Sequence, residues 1–175
     1  LQISQTDSKF SRLHHNQELK PFDCGEEDLT DFLINQSKLY LNQLLAVTYI
    51  LESKDETIAF YSVLNDKVQR STKINKNVPN KKRYYTYPAV KIGRLGVHKN
   101  YQCNGIGTKL LYHVKRTFRY DNKTGCRFLT VDAYNKPDVL NFYIQNRFAF
   151  FSENDKNDAT RLLFYDLIDI APMPE

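Results

Sequence analysis

Arg94-Leu95-Gly96-Val97-His98-Lys99-Asn100-Tyr101-Gln102-Cys103-Asn104-Gly105-Ile106-Gly107-Thr108-Lys109 is the stretch that decides how this chain folds. A strand ends, a short polar loop follows, and two glycines open a helix. The strand covers 89–97, where Gly93 and Gly96 signal either a bulge or a close approach to the backbone. Ile106, Leu110, Leu111, Val114 and Phe118 share one face of a helix over 105–119. Glycines at such a junction let backbone N–H groups converge with no Cβ in the way. With the positive end of the helix dipole they form an anion site suited to a pyrophosphate, and Lys99 and Lys109 add charge. The P-loop spacing is absent, because one residue separates Gly105 from Gly107. The dinucleotide fingerprint G-x-G-x-x-G fails because position 110 is Leu. Taken alone, Asn104-Gly105 also fits an ordinary turn.

Downstream lie a compact strand over 128–133 (FLTVDA), a helix over 138–146 with Pro137 suited to its first turn, and two closing strands at 148–151 and 161–167. Upstream, Asp23 to Gly25 reads as a turn, and Glu26, Glu27 and Asp28 place negative charge where a helix begins. That helix covers 26–42 with Leu29, Phe32, Leu33 and Tyr40 on one face. Two β-rich runs at 44–52 and 57–64 then make a hairpin. Residues 65–88 read as a long connection with room for a short helix. The order predicts a single mixed α/β (α+β) domain over 1–175. A doubly wound sheet is disfavoured because the opening and closing strands come as neighbouring pairs.

The net charge of +5 hides a strong asymmetry. Residues 67–120 hold 14 Lys and Arg and no Asp or Glu, in a chain with 20 acids to place. Such a block is either a solvated face or the footprint of a polyanion, a phosphate-bearing small molecule or nucleic acid. Cys24, Cys103 and Cys126 are too few and scattered for a disulfide framework, and the four histidines have no zinc-like spacing with them, so no metal is expected. The apolar run from Leu44 to Leu51 is too short to span a membrane. Without a signal-like segment, the cytoplasm is the expected compartment.

Gln102-x-x-Gly105-x-Gly107 between the strand RLGV and an amphipathic helix resembles the R/Q-x-x-G-x-G/A signature of the GNAT superfamily of acyl-CoA-dependent N-acetyltransferases. FLTVDA, Asn135, and Leu140-Asn141-Phe142-Tyr143 before Arg147-Phe148 are similar to that family's next strand and its N-x-x-A-x-x-F-Y-x-x-x-G-F helix. The resemblance implies a mostly antiparallel mixed sheet, splayed between its central strands and flanked by helices, with acetyl-CoA as cosubstrate. The amides around Cys103, Asn104, Gly105, Ile106, Gly107 and Thr108 would hold the pyrophosphate, with Gln102 lining the loop. Leu95, Gly96 and Val97 would pair with the pantetheine arm, and Asn135 would touch it. The Val97 N–H would polarise the thioester carbonyl, and Tyr143 would protonate the leaving thiolate. His98 is a candidate base for the amine, although a water chain would serve. Arg147 stands where the family has Gly, so another residue must take the left-handed cap of the helix, with Asn146 the candidate. The Ala of N-x-x-A is also missing.

Phe22-Asp23-Cys24-Gly25 with Leu29 and Phe32-Leu33 resembles the opening of the toxin branch of the superfamily (TacT/AtaT type). The resemblance implies acetylation of the α-amino group of aminoacyl-tRNA and control by an antitoxin. The basic segment 67–120 would face the tRNA, with Tyr84, Tyr85 and Tyr87 available to stack on bases. Two other readings stand beside it: an enzyme of the same fold acetylating a small amine or a protein amino group, and a catalytically silent CoA-binding or partner-binding module. The aromatic hairpin edges leave room for a homodimer.

Overall fold

A computed structural model describes residues 10–75, 78 and 84–171. In chain order the strands are β1 (Phe10–Arg12), β2 (Val47–Glu52), β3 (Thr57–Gln69), β4 (Thr86–Val97), β5 (Phe128–Tyr134), β6 (Ala149–Phe150) and β7 (Thr160–Asp166). The helices are α1 (Glu27–Asp31), α2 (Ser37–Asn42), α3 (Thr72–Asn75), α4 (Ile106–Tyr120) and α5 (Pro137–Gln145). The strands hydrogen-bond in the order β1-β2-β3-β4-β5-β7-β6, a mostly antiparallel sheet in which β4 and β5 run parallel. That β4–β5 ladder covers only Ala89–Lys91 against Phe128–Thr130. No pairing between β4 and β5 extends beyond those residues.

Two compact units divide the chain: Leu1–Leu64 with Ile92–Tyr112, and Asn65–Lys91 with His113–Glu175. In the first, β1 pairs with β2 from Phe10↔Leu51, and β2 with β3 from Val47↔Val63, both antiparallel. Thr57 to Val63 are all buried, so both faces of this part of β3 are covered, and Leu13, Phe22, Cys24, Phe32, Leu33, Ile50 and Phe60 form one core. The single helix expected over 26–42 is broken. α1 passes into a π-helical turn (Phe32–Gln36) before α2, and the buried Ser37 Oγ donates to the Leu33 carbonyl at 2.6 Å. A hydroxyl bonding back one turn competes with the regular ladder, and such a turn seats both Phe32 and Leu33 in the core. Leu44, expected to start a strand, instead takes a left-handed φ of 59°, and β2 begins at Val47.

In the second unit, β5 pairs antiparallel with β7 along its whole length, and β6 pairs with β7. Val68, Ile74, Tyr87, Ala89, Phe128 and Phe164 make the core there. Arg127 grips the buried Asp166 with two bonds of 2.7 and 2.9 Å, tying the start of β5 to the end of β7. The connection expected over 65–88 is shorter than its composition suggests. β3 runs on to Gln69 with Asn65, Lys67 and Gln69 exposed, and β4 starts at Thr86, ahead of Pro88. The Pro88 carbonyl accepts from the Arg127 N–H at 3.0 Å, so this proline sits in a strand without costing that contact.

Candidate active site

The bulge that Gly93 and Gly96 hinted at is present, and so is the close approach. Arg70 N–H donates to Tyr85 O and His98 N–H to Ile58 O, so thirteen steps along the β4 side (85 to 98) match twelve along β3 (58 to 70). β4 therefore carries one extra residue. A Cβ on Gly93 would meet Leu64 Cδ2 at 2.8 Å, and one on Gly96 would meet Phe60 Cε1 at 2.7 Å. Phe60 and Leu64 share a face of β3, so two β4 residues an odd number apart face the same way, which places the extra residue at Arg94-Leu95. After the bulge His98 N–H points to β3. By alternation the Val97 N–H points away from it, as an oxyanion donor must.

The loop beyond Val97 turns sharply into α4. Cys103 and Gly105 both take left-handed backbone conformations, with φ of 61° and 73°. Lys109 N–H donates to Gly105 O at 3.1 Å as α4 begins, so the amides of Ile106 and Gly107 come before the helical ladder starts. Left-handed residues before a helix N-terminus make a concavity of N–H groups suited to phosphate oxygens. Gln102, expected to line the loop, acts as its fastener: Nε2 donates to Val97 O at 2.9 Å and to Cys24 O at 2.8 Å. Asn104 Nδ2 donates to Gln102 O at 3.0 Å.

Cys24 belongs to the FDCG segment, and that segment clasps the loop. Lys99 N–H donates to Asp23 O at 2.8 Å, and Lys99 Nζ reaches Asp23 Oδ2 at 2.6 Å. The Lys99 bond and the Gly25 N–H hold the Asp23 carboxyl below its usual range. Phe22 packs edge-on against both Phe60 and the His98 ring. The sequence showed FDCG as a turn before a helix and as a family-like opening, but its partner 76 residues away carried no local signal.

His98 is not free to act as the base. Its ring is buried, Nδ1 accepts from Asn100 N–H at 3.2 Å, and Nε2 lies 3.3 Å from Glu56 Oε2. These partners place the proton on Nε2 and leave no lone pair for an amine proton. The other oxygen of Glu56 accepts from Tyr101 Oη at 2.7 Å, which raises the Tyr101 hydroxyl above its ordinary range.

In the other unit, α5 carries Tyr143. Its ring is buried edge-on against Phe142 and Phe148, at centroid distances of 5.1 and 5.4 Å, and its hydroxyl has no hydrogen-bond partner among the described residues. Burial pushes its pKa well above the tyrosine range, so it is a neutral donor at physiological pH. Asn135 Nδ2 donates to Lys156 O and Asp158 O, both at 2.9 Å, which fixes the start of the α5 approach to the following loop. The expected cap at Asn146 is not the one used. Asn146 has φ −89°, and Arg147 itself takes the left-handed position with φ 64°.

Part of the basic block is compensated. Lys91 pairs with Asp132 at 2.7 Å and lies 3.7 Å from Asp66, Arg94 lies 3.7 Å from Asp28, Lys99 pairs with Asp23, and Lys115 is buried. Lys67, Arg70, Lys73, Lys109 and Arg116 remain exposed, whereas Lys76, Lys81, Lys82 and Arg83 lie outside the described residues. Tyr85 is 89% exposed with Arg70 over its ring, and Tyr84 is exposed. Tyr87 is only 4% exposed and belongs to the core, so it cannot stack on a base. Among the described residues no cluster of His, Cys, Asp and Glu is placed to hold a metal ion, and no helix is long and apolar enough to cross a membrane.

A bulged strand, a left-handed turn and a helix N-terminus thus follow one another between Gly93 and Thr108. Residues 13–150 match the acetyltransferase (GNAT) family, and the chain belongs to that family. Among solved structures it is similar to a tyrosine-to-phenylalanine variant of KacT, with 26% identity and a TM-score of 0.77 over 93% of this chain and 96% of that one. AtaT complexed with acetyl-methionyl-tRNAfMet shares the fold at 22% identity and a TM-score of 0.78, over 93% and 96% of the two chains. AtaTR bound with acetyl-CoA does so at 24% identity and 0.75, over 93% and 95%.

Proposed function

We propose that residues 1–175 form a single acetyltransferase domain that transfers the acetyl group of acetyl-CoA to the α-amino group of aminoacyl-tRNA, as the toxin of a toxin–antitoxin pair. The observation that carries the donor half is the left-handed turn at Cys103 and Gly105, which leads from β4 into the N-terminus of α4. Acetyl-CoA supplies an activated thioester. The amides of Cys103, Asn104, Gly105, Ile106, Gly107 and Thr108 would bind its pyrophosphate, and Leu95, Gly96 and Val97 its pantetheine arm. Asn135 would steady that arm through its carbonyl oxygen, since its amide N–H groups are already engaged. The Val97 N–H would take the developing oxyanion, and Tyr143 would donate its proton to the departing sulfur. With His98 committed to Glu56 and Asn100, the neutral amine attacks directly and loses its proton to water.

The acceptor half rests on likeness to AtaT, which is solved with acetyl-methionyl-tRNAfMet and with its antitoxin AtaR, together with the exposed Arg70–Tyr85 pair. A second reading, a small amine or protein amino group as acceptor, is favoured by one observation: Lys91, Arg94 and Lys99 all lie beside carboxylates. Induced expression tests both. Wild type should arrest growth and yield N-acetylated aminoacyl-tRNA, while Tyr143→Phe should do neither. Normal growth and unmodified tRNA, with CoA released to a polyamine or a peptide, would establish the second reading. Binding of acetyl-CoA with no turnover on any acceptor would leave only a silent module.

A further inference from the structure

α5 ends in a turn held from outside. Asn146, Arg147 and Phe148 donate their N–H groups back to Phe142, Ile144 and Tyr143 carbonyls at 3.2, 2.8 and 3.0 Å. The Asn146 carbonyl accepts from Lys115 Nζ on α4 at 2.5 Å. Lys115 is only 7% exposed, and its ammonium lies 3.8 Å from the centre of the Tyr165 ring and 5.1 Å from that of Phe148. Phe148 in turn packs against Tyr143. One buried cation thus touches both the turn that ends the Tyr143 helix and the ring that backs Tyr143. Burying an ammonium is unfavourable unless its partners are well placed. Here a helix C-terminal carbonyl and two aromatic faces supply favourable partners. The turn needs such support because a non-glycine residue occupies its left-handed position.

We infer that Lys115 is a positioning residue for Tyr143: it fastens the α5 C-terminal turn and the Phe148 ring, so that the Tyr143 hydroxyl is held at one depth and angle. The inference rests on the reading of Tyr143 as the proton donor. It makes no contact with substrate and acts only through that tyrosine. The test is a double-mutant cycle on the full chain, with wild type, Tyr143→Phe, Lys115→Met and both together, assayed for CoA release from acetyl-CoA with charged bulk tRNA. Because a displacement of about 1 Å in a catalytic group costs up to 10²-fold, Lys115→Met should lower kcat by about ten-fold, with the KM for acetyl-CoA within two-fold of wild type. In the Tyr143→Phe background the same change should alter kcat less than about two-fold, since the group being positioned is gone.

An equal loss in both backgrounds would show a general structural role and overturn the inference, as would an unaltered kcat in Lys115→Met. Full turnover by Tyr143→Phe would instead overturn the proton-donor reading itself, so the two failures are distinguishable. If Lys115→Met does not fold, the cycle is run with Lys115→Met/Arg147→Gly, in which glycine takes the left-handed position unaided.

Discussion

Two of the turns that force an ordinary side chain into the left-handed region, those at Cys103 and Arg147, do opposite things with it. At Cys103, φ 61°, the turn after β4 leads into a helix N-terminus, and polar side chains fasten it, Gln102 to Val97 O and Cys24 O and Asn104 to Gln102 O. At Arg147, φ 64°, the turn after α5 folds its N–H groups back onto α5 carbonyls, and a buried lysine takes the Asn146 carbonyl. Each conformation costs on the order of 1 kcal/mol. In the first turn that cost leads the chain into a helix N-terminus. In the second it closes the polar groups around a helix end that must hold a tyrosine still. The difference teaches that left-handed φ alone does not mark a binding site; what the turn leads into does.

Substitutions in the two turns should separate along the same line. Tyr143→Phe, in the second region, should lower kcat by about 10²–10⁴-fold. Its melting temperature should stay near wild type, because the ring contacts with Phe142 and Phe148 persist. Gly105→Val, in the first, places a β-branched residue at φ 73°, where a Cβ meets nothing but the backbone is strained. Calorimetric titration should show acetyl-CoA affinity falling by about ten-fold, from a backbone cost of about 1–2 kcal/mol. Gln102→Ala removes two bonds worth about 1 kcal/mol each and should weaken acetyl-CoA binding several-fold in the same titration. Arg147→Gly should do the reverse of these: chemical denaturation should show a gain of up to about 1 kcal/mol, with acetyl-CoA affinity unchanged.

The smallest effect is one of pH. Burial, with the nearby Arg147 charge, pushes the Lys115 pKa down to about 8 from 10.5. The unfolded chain then holds this proton more tightly than the folded one, so this group makes stability rise with pH from about 8 to 10.5. Lys115→Met should remove that component. The wild-type and variant denaturation curves should therefore converge or diverge with pH only in that window; a constant offset across it would break the assignment.

The sequence made the strand–loop–helix at 94–109 legible because glycine spacing and helical periodicity are local signals. The sheet's mixed character was legible for the same reason, from strands arriving in pairs. The long-range fasteners were not. Gln102 to Cys24, Lys99 to Asp23 and Lys115 to Asn146 join residues 78, 76 and 31 positions apart, and no period or motif announces them. Charge was the most misleading signal. Residues 67–120 contain no acid of their own, yet Asp23, Asp28, Asp66 and Asp132 come in from outside the block to meet three of its cations, so a linear count overstated the field. The first helix was misjudged for a local reason: the Ser37 hydroxyl bonds back to Leu33 O just after a π-helical turn, a feature that apolar periodicity does not register.

The central claim is that the amides after Val97 hold acetyl-CoA for transfer to the amino group of a charged tRNA. The direct measurement is incubation of the purified full chain with labelled acetyl-CoA and charged bulk tRNA, followed by digestion and mass analysis of the released aminoacyl adenosine. The account predicts label on the α-amino nitrogen with wild type and none with Tyr143→Phe. Unlabelled aminoacyl adenosine from the wild-type reaction, while CoA is still released to another amine, would contradict it.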